Sequence, residues 1–490
     1  MGQKNKSLKL NFFMNVMLTM SSFIFPLITF PYVSRILLPV GTGKVSFATS
    51  IVTYFSMFAQ LGIPTYGIRV CATVRDDRKK LSKVAQELLI INLVMCILSY
   101  AVLFIAIFTV PRLKEEKNLY IILSFTIILT SIGMEWLYKA LEQYTYITMR
   151  SVFFKFVALV AMFLLVHKQE DYILYGGITI MAASASNVLN LVNVHKYIDL
   201  KPIGNYDFKR HIKPIVIFFA MSCATTIYTN LDTVMLGFMA TDADVGYYNA
   251  SVKIKSILVS VVTSLGAVLL PRASYYIQQG ELKQFRRITS KALTFVFLIA
   301  TPLMVYFIYF AKEGIYFLSG SSYESAVVPM QLIMPTLLLI GITNILGIQM
   351  LIPMGKEKVV LYSEIWGAVV DVIINAILIP KYASVGAAIG TLIAEFVVFV
   401  VQFRFLKDEV KDAFKRIHYG KILIAILLSS IGSLWIKHFF VGNFKVLVMS
   451  AVAYFGIYGI VLLLFREEMV VEIADTVIKN VLRVFRKSRE

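Results

Sequence analysis

The sequence predicts an all-α polytopic membrane protein, on three observations. Fourteen apolar stretches are each long enough to cross a bilayer. Its basic residues sort to one side of them: with the N-terminus inside, about 36 of the 48 Lys and Arg fall in cytoplasmic segments and about 10 outside. Its composition, 58% hydrophobic and 16% charged, is far from that of a soluble globular chain. An even number of spans puts both termini in the cytoplasm.

The spans start near residues 10, 43, 84, 118, 147, 172, 214, 246, 288, 325, 359, 384, 421 and 444. The first is longer than a signal-peptide core and lacks a small-residue cleavage site, so it is expected to stay as a span. Inside loops carry the basic clusters Arg75, Arg78, Lys79 and Lys80; Lys209, Arg210 and Lys213; Arg286 and Arg287; and Lys415 and Arg416. These answer to membrane potential and anionic lipid and account for most of the net charge of +19, so a nucleic-acid partner is excluded. Within the spans this reading assigns only Lys253 and Lys255 as basic residues.

Connections are short, the longest being about 15 to 20 residues around 195–213, 271–287 and 404–420. None holds a soluble catalytic domain, so no enzyme is expected. Cys71, Cys96 and Cys223 are scattered without ligand spacing, and the five histidines stand singly; no metal site, disulfide framework or cofactor is implied. Pro39-Val40-Gly41-Thr42-Gly43-Lys44-Val45 lacks the upstream glycine and the hydroxyl residue of a phosphate loop. Asp242-Ala243-Asp244 reads as turn chemistry rather than as a nucleotide-sugar motif.

An internal repeat organises the spans. Thr19, Ser22 and Thr29 correspond to Ser222, Thr225 and Asp232 at an offset of 203, and Gly43, Ser46, Ser50 and Thr53 correspond to Gly246, Asn249, Lys253 and Ser256 at the same offset. Spacings of three, four and seven put each set on one helix face. Six spans separate the copies, so both have the same orientation and relate by an axis along the membrane normal. The expected organisation is two parallel six-helix halves, residues 1–200 and 201–410, around a central cavity, then two additional spans in 411–466 and a basic amphipathic tail in 467–490. Ser and Thr stripes also serve close helix contacts. Four helices with matched stripes in two halves instead favour a shared cavity and alternating access.

Ionisable residues inside spans are costly and face a cavity or a partner. Lys253 shares the stripe of Ser256 and Ser260 and is expected to point inward, whereas Lys255 lies about 200° around the helix. Arg35, just beyond the first span, is a second cavity cation or a headgroup anchor. Asn249 and Asp232 complete the candidate cavity set. Glu364, Ala368, Asp371 and Asn375 share one face of the eleventh span, and Gly386, Gly390 and Ala394 form a small-residue stripe on the twelfth, which also carries Glu395. Glu364, Asp371 and Glu395 are candidates for cation coupling or for structural pairing.

The residues also resemble a family. The run Phe30-Pro31-Tyr32-Val33-Ser34-Arg35-Ile36-Leu37, then Gln60-Leu61-Gly62-Ile63 and Tyr66-Gly67-Ile68-Arg69, is similar to the N-terminal signature of bacterial Wzx-type oligosaccharide flippases of the MOP exporter superfamily. Further matches are Glu135-Trp136-Leu137 with Leu141-Glu142, Asn230 through Gly237, Val245 through Ala250, and Val385-Gly386-Ala387-Ala388 through Thr391 to Glu395. Where members often have Leu-Gly-Pro after the arginine, this chain has Leu37-Leu38-Pro39. The resemblance implies translocation of an undecaprenyl-pyrophosphate-linked sugar repeat to the outer leaflet of the bacterial cell membrane for surface polysaccharide assembly. It implies Arg35 and Lys253 as pyrophosphate contacts, and a polysaccharide polymerase and assembly proteins as partners beside the lipid-linked oligosaccharide and membrane lipids. The rival readings are a multidrug or small-solute antiporter of the same superfamily, which acids governing the cavity would favour, and a membrane-embedded polymerase, which a large external loop would favour.

In the tail, Met469, Ile473, Val477, Val481 and Val484 recur at helical spacing among Lys479, Arg483, Arg486 and Lys487. That pattern predicts an amphipathic helix lying on anionic membrane or docked on a cytoplasmic loop.

Overall fold

The computed structural model describes residues 8–472 with 474 and 475, all in helices and the turns that join them. The chain divides into two compact units, residues 1–249 and 250–490.

The first unit starts with α1 (Leu8–Gln60), in which Leu38 has a left-handed φ of 58° and breaks the helix into two arms. Leu61 (φ 47°) and Gly62 (φ 71°) then turn the chain into the short α2 (Ile63–Thr73). A side chain at Gly62 would also strike the main chain of Phe218 and Phe219, so both the turn and the close approach require glycine. Asp77 caps α3 (Arg78–Thr109) by accepting from the Lys80 N–H at 3.1 Å. These backbone N–H bonds hold the Asp77 carboxyl below its ordinary range.

After the one-turn α4 (Pro111–Lys114) come α5 (Lys117–Ile132), α6 (Glu135–Ala140) and α7 (Tyr144–Leu165). α8 (Tyr172–Ile180) continues through a π turn at Met181–Ala185 into α9 (Asn187–Asn193). α10 (Lys209–Met239) and α11 (Asp242–Gln278) are separated by a break at Ala240 and Thr241, the latter 203 residues after Leu38. The two copies of the repeat therefore break at matching positions.

α1 and α7 run side by side in the same direction. Thr148 donates to the Met14 carbonyl, Lys155 to Ser21, and Tyr32 to the Val166 carbonyl, all across a separation of 134 residues. Around this frame one apolar core joins Val33, Leu37, Ala158, Met162, Val166 and Ile178. A second joins Ile63, Leu88, Trp136, Val194 and Ile215.

The second unit holds α12 (Leu282–Tyr309), α13 (Ala311–Ser319), α14 (Val327–Ile333), α15 (Thr336–Thr343) and α16 (Glu357–Lys415). α17 (Tyr419–Leu434), α18 (Ile436–Phe439) and α19 (Asn443–Leu464) complete it. Ala383, with φ 46° and ψ −123°, breaks α16. Its arms pack antiparallel: Gln402 donates to Ser363 at 3.0 Å, and added Cβ atoms at Gly390 and Gly386 would meet Asn375 and Leu378. The start of the tail docks on this unit. Met469 and Val470 pack on the Leu293–Leu346–Leu406 core, His418 Nδ1 pairs with Glu467 at 2.9 Å, and Lys291 with Glu472 at 2.7 Å. Lys479, Arg483, Arg486 and Lys487 of the expected amphipathic helix lie outside the described residues.

Along α3, Asn92, Cys96, Ser99, Leu103 and Ile107 are buried while Val94, Ile97, Leu98, Val102 and Ile105 are exposed. An apolar outer face over a partly polar inner one suits a hydrocarbon solvent, where only the backbone must be satisfied internally. Among the described residues ten helices are long and apolar enough to cross a bilayer, twelve when each of two bent pairs counts as one span. The protein is a multi-pass membrane protein.

Candidate functional site

The second arm of α1 and the start of α11, matching segments of the repeat, cross just past their breaks, near Leu38 and Thr241. An added Cβ on Gly43 would lie 1.7 Å from the Asp242 carbonyl oxygen, and one on Gly246 would lie 2.2 Å from that of Pro39. Both pairs, Gly43 with Gly246 and Pro39 with Asp242, are 203 residues apart, so the crossing is reciprocal and follows the internal symmetry. Phe47 fills the space beside Gly237 and meets Phe238 edge-on at 5.2 Å.

Charge closes the same end. Arg112 pairs with Asp242 and donates through Nε to the Gly237 carbonyl at 2.9 Å. Lys44 pairs with Glu116, which also accepts from the Tyr172 hydroxyl at 2.7 Å. Asp244 accepts from the Thr241 backbone N–H at 3.2 Å and its hydroxyl at 2.6 Å. The Asp242-Ala243-Asp244 motif therefore makes a turn and an ion pair.

At the other end the polar seam opens. Thr19, Ser22 and Thr225 are exposed, whereas Thr29 and Asp232, nearer the crossing, are buried. A cavity of about 330 Å³ lies within the first unit, lined by the seam residues Thr53 and Ser222 and by Ser56, Gln60, Thr126 and Thr226 among others. Hydroxyls and an amide around an open volume can hydrogen-bond a polar cargo such as a sugar.

The candidate residues fall into distinct settings. Arg35 is exposed and donates to the Pro31 carbonyl of its own helix. Asp232 is buried and accepts from the Tyr248 hydroxyl, and Asn249 is half-buried and donates to the Val245 carbonyl at 2.9 Å. In the second unit Lys253 is exposed and Lys255 half-buried. Glu364 is half-buried, while Asp371 and Glu395 are buried. The antiparallel register of α16, with Gln402 opposite Ser363 and Gly390 opposite Asn375, brings Glu395 alongside Asp371. Asp371 also lies against the small-residue stripe, 3.0 Å from the position of a Gly390 Cβ. Among the described residues no group of three or more His, Cys, Asp or Glu could hold a metal ion.

Three charged groups escaped the reading of the sequence. The assignment of only Lys253 and Lys255 to span interiors is corrected by Lys155, which stands in the middle of α7 and donates to Ser21 and Ser22 at 2.9 Å each. A lysine at the centre of a span costs about 2.5–3.5 kcal/mol on insertion scales, so it should have stood out in the run Val152-Phe153-Phe154-Lys155-Phe156-Val157. Arg150, buried at the start of α7, pairs with Glu135 at 2.9 Å and donates to Asn187 at 3.1 Å. Glu87 is fully buried, accepting from the Asp207 N–H at 2.7 Å, from Arg210, and from His211 Nε2 at 2.9 Å. The Tyr66 hydroxyl is hydrogen-bonded to His211 Nδ1 at 2.8 Å, so both ring nitrogens are engaged. The signature residues thus do structural work: Gly67 lies against the Trp136 ring, and Glu135 anchors Arg150.

Comparison with known proteins bears on this architecture. The model of the family described as polysaccharide biosynthesis protein matches residues 8–277, and that described as MatE matches residues 217–377. A candidate O-antigen transporter of Escherichia coli (strain K12) is 23% identical over 412 residues, covering 83% of this chain and 99% of its own. A second, of Shigella dysenteriae, is 25% identical over 397 residues, 79% of this chain and 97% of its own. The inward closed conformation of the lipid II flippase MurJ has the same fold, with a TM-score of 0.71 at 14% identity over 94% of this chain and 100% of that one. With more than half of its length matched, the chain belongs to the polysaccharide biosynthesis protein family.

Proposed function

We propose that this protein is a flippase that carries a lipid-linked oligosaccharide repeat unit, joined through pyrophosphate to undecaprenol, from the cytoplasmic to the outer leaflet of the bacterial cell membrane. The observation that carries the reading is the symmetric pair formed by the two arms of α1 and by α10 with α11, in a chain of this family: their polar seam is open at one end and sealed by the Gly43–Gly246 crossing at the other. A diphosphate and a sugar cannot enter hydrocarbon unaided, so they need a polar route that opens to one side at a time. The named transporters of O-antigen and lipid II among its relatives and fold neighbours support the same cargo class.

Fourteen spans follow if α1 and α16 each count twice. Helices of 53 and 59 residues would be about 80 and 90 Å long, against a hydrocarbon core of about 30 Å, and each carries one non-helical residue, Leu38 or Ala383. The halves are then residues 1–200 and 201–410, with both termini cytoplasmic and the glycine crossing at the outer face. Arg35 and Lys253 supply positive charge for the pyrophosphate, with Asn249 and Asp232 as polar neighbours on the seam. Asp371 and Glu395 serve coupling or pairing within α16. An antiporter for cationic drugs would want exposed acids on the seam. Here the seam lysine Lys253 is exposed, and the seam acid Asp232 is buried.

Depleting the protein tests this reading. Surface polysaccharide should fall while lipid-linked repeat units build up on the cytoplasmic leaflet. Unpolymerised repeats on the outer leaflet would indicate a polymerase instead.

A further inference from the structure

We propose that Lys155 is a binding residue for the diphosphate of the lipid-linked sugar, an assignment that rests on the flippase reading above. Lys155 sits mid-way along the 22-residue α7, half-buried, and donates to the hydroxyls of Ser21 and Ser22 on α1. Its position along α1 is fixed by the bonds on either side, Thr148 to Met14 and Tyr32 to Val166 at the same separation of 134. Ser22 is exposed on the polar seam with Thr19, so the ammonium reaches the edge of the route.

Glu135 acts on Lys155 only from beyond ion-pair reach. Among the described residues no carboxylate lies within ion-pair reach of Lys155, and Glu135 is committed to Arg150 and Lys139. Two neutral hydroxyls take two of the three ammonium protons and leave the third for an outside acceptor. An intramembrane cation that its own protein leaves without an ion pair is matched to an anion that passes or docks, and a lysine is a point-charge phosphate ligand.

Phosphate could come from the cargo or from a membrane phospholipid. Helix geometry favours the cargo. Met149, Phe153, Phe156, Val160 and Leu164 form the exposed lipid-facing stripe of α7, and at 100° per residue Lys155 projects about 140° away from its centre. It lies instead on the face of Thr148 and Met162, both buried.

The test uses the full chain in nanodiscs of zwitterionic lipid, titrated with undecaprenyl diphosphate and, separately, with phosphatidylglycerol. Lys155→Gln should weaken diphosphate binding about tenfold or more, as befits a lost charge-assisted bond. Lys155→Arg should restore most of it, phosphatidylglycerol binding should not change, and the thermal midpoint should hold. Unchanged diphosphate affinity in Lys155→Gln, with wild type binding normally, overturns the assignment alone. So does a loss confined to phosphatidylglycerol, or one that Arg fails to restore and a lowered midpoint accompanies. Wild type that does not bind the diphosphate overturns the flippase reading and this assignment with it.

Discussion

Gly43 and Gly246 sit where any side chain would collide with main-chain oxygen rather than with a rotatable group, so relief requires the helices to part. Gly43→Leu or Gly246→Leu should therefore abolish export while the protein still inserts. The expected stability cost is about 1–3 kcal/mol, the usual range for overpacking, read as a lower thermal midpoint. Normal export in both variants would remove the crossing from the mechanism. The cations allow a second comparison: Lys253→Ala should reduce export at normal protein levels and Lys255→Ala should do less, because Lys253 is the exposed one on the serine stripe. Equal, mild effects would end that argument. Both glycines were legible in the sequence as seam members, through their offset. Their partners were not, since periodicity says which face a residue occupies and nothing about what crosses it.

The helices are held by polar clusters placed near their ends. Tyr66, Glu87, Arg210 and His211 tie the first turn of α10 to α2 and α3, with Glu87 and His211 fully buried. Removing one partner of a buried pair strands the other, at a cost of about 3–5 kcal/mol. Glu87→Gln should thus lower the thermal midpoint clearly, whereas Glu142→Gln, which breaks the exposed pair with Arg75, should barely move it. A midpoint equally tolerant of both would show the cluster to be incidental. From the sequence, Glu87 is one acid near the start of an apolar run, and only the approach of α10 from 124 residues away in the chain makes it a clamp. The α16 arms were more legible. The Gly386–Gly390–Ala394 stripe and the Asp371–Asn375 face were read separately, and the turn at Ala383 brings them together.

At the scale of the whole chain, the proposed fourteen spans and cytoplasmic termini make a topological prediction. A reporter fused after Asn443 should differ in sidedness from one fused at residue 280, and tags at both ends should be reachable only from inside. A tag at either end that is accessible from outside would refute the even count. Apolar length, charge sorting and the offset of 203 determined class and repeat from the sequence alone, because a bilayer imposes its thickness and potential directly on composition and spacing, while the family was legible only through the resemblance of runs such as Phe30 through Leu37. Tertiary structure decided the rest: which end of the seam is sealed, that Asp242 meets Arg112, and that Lys155 reaches across to Ser21 and Ser22. Those outcomes depend on contacts between segments more than 100 residues apart, and no local pattern encodes which distant helix a given face will meet.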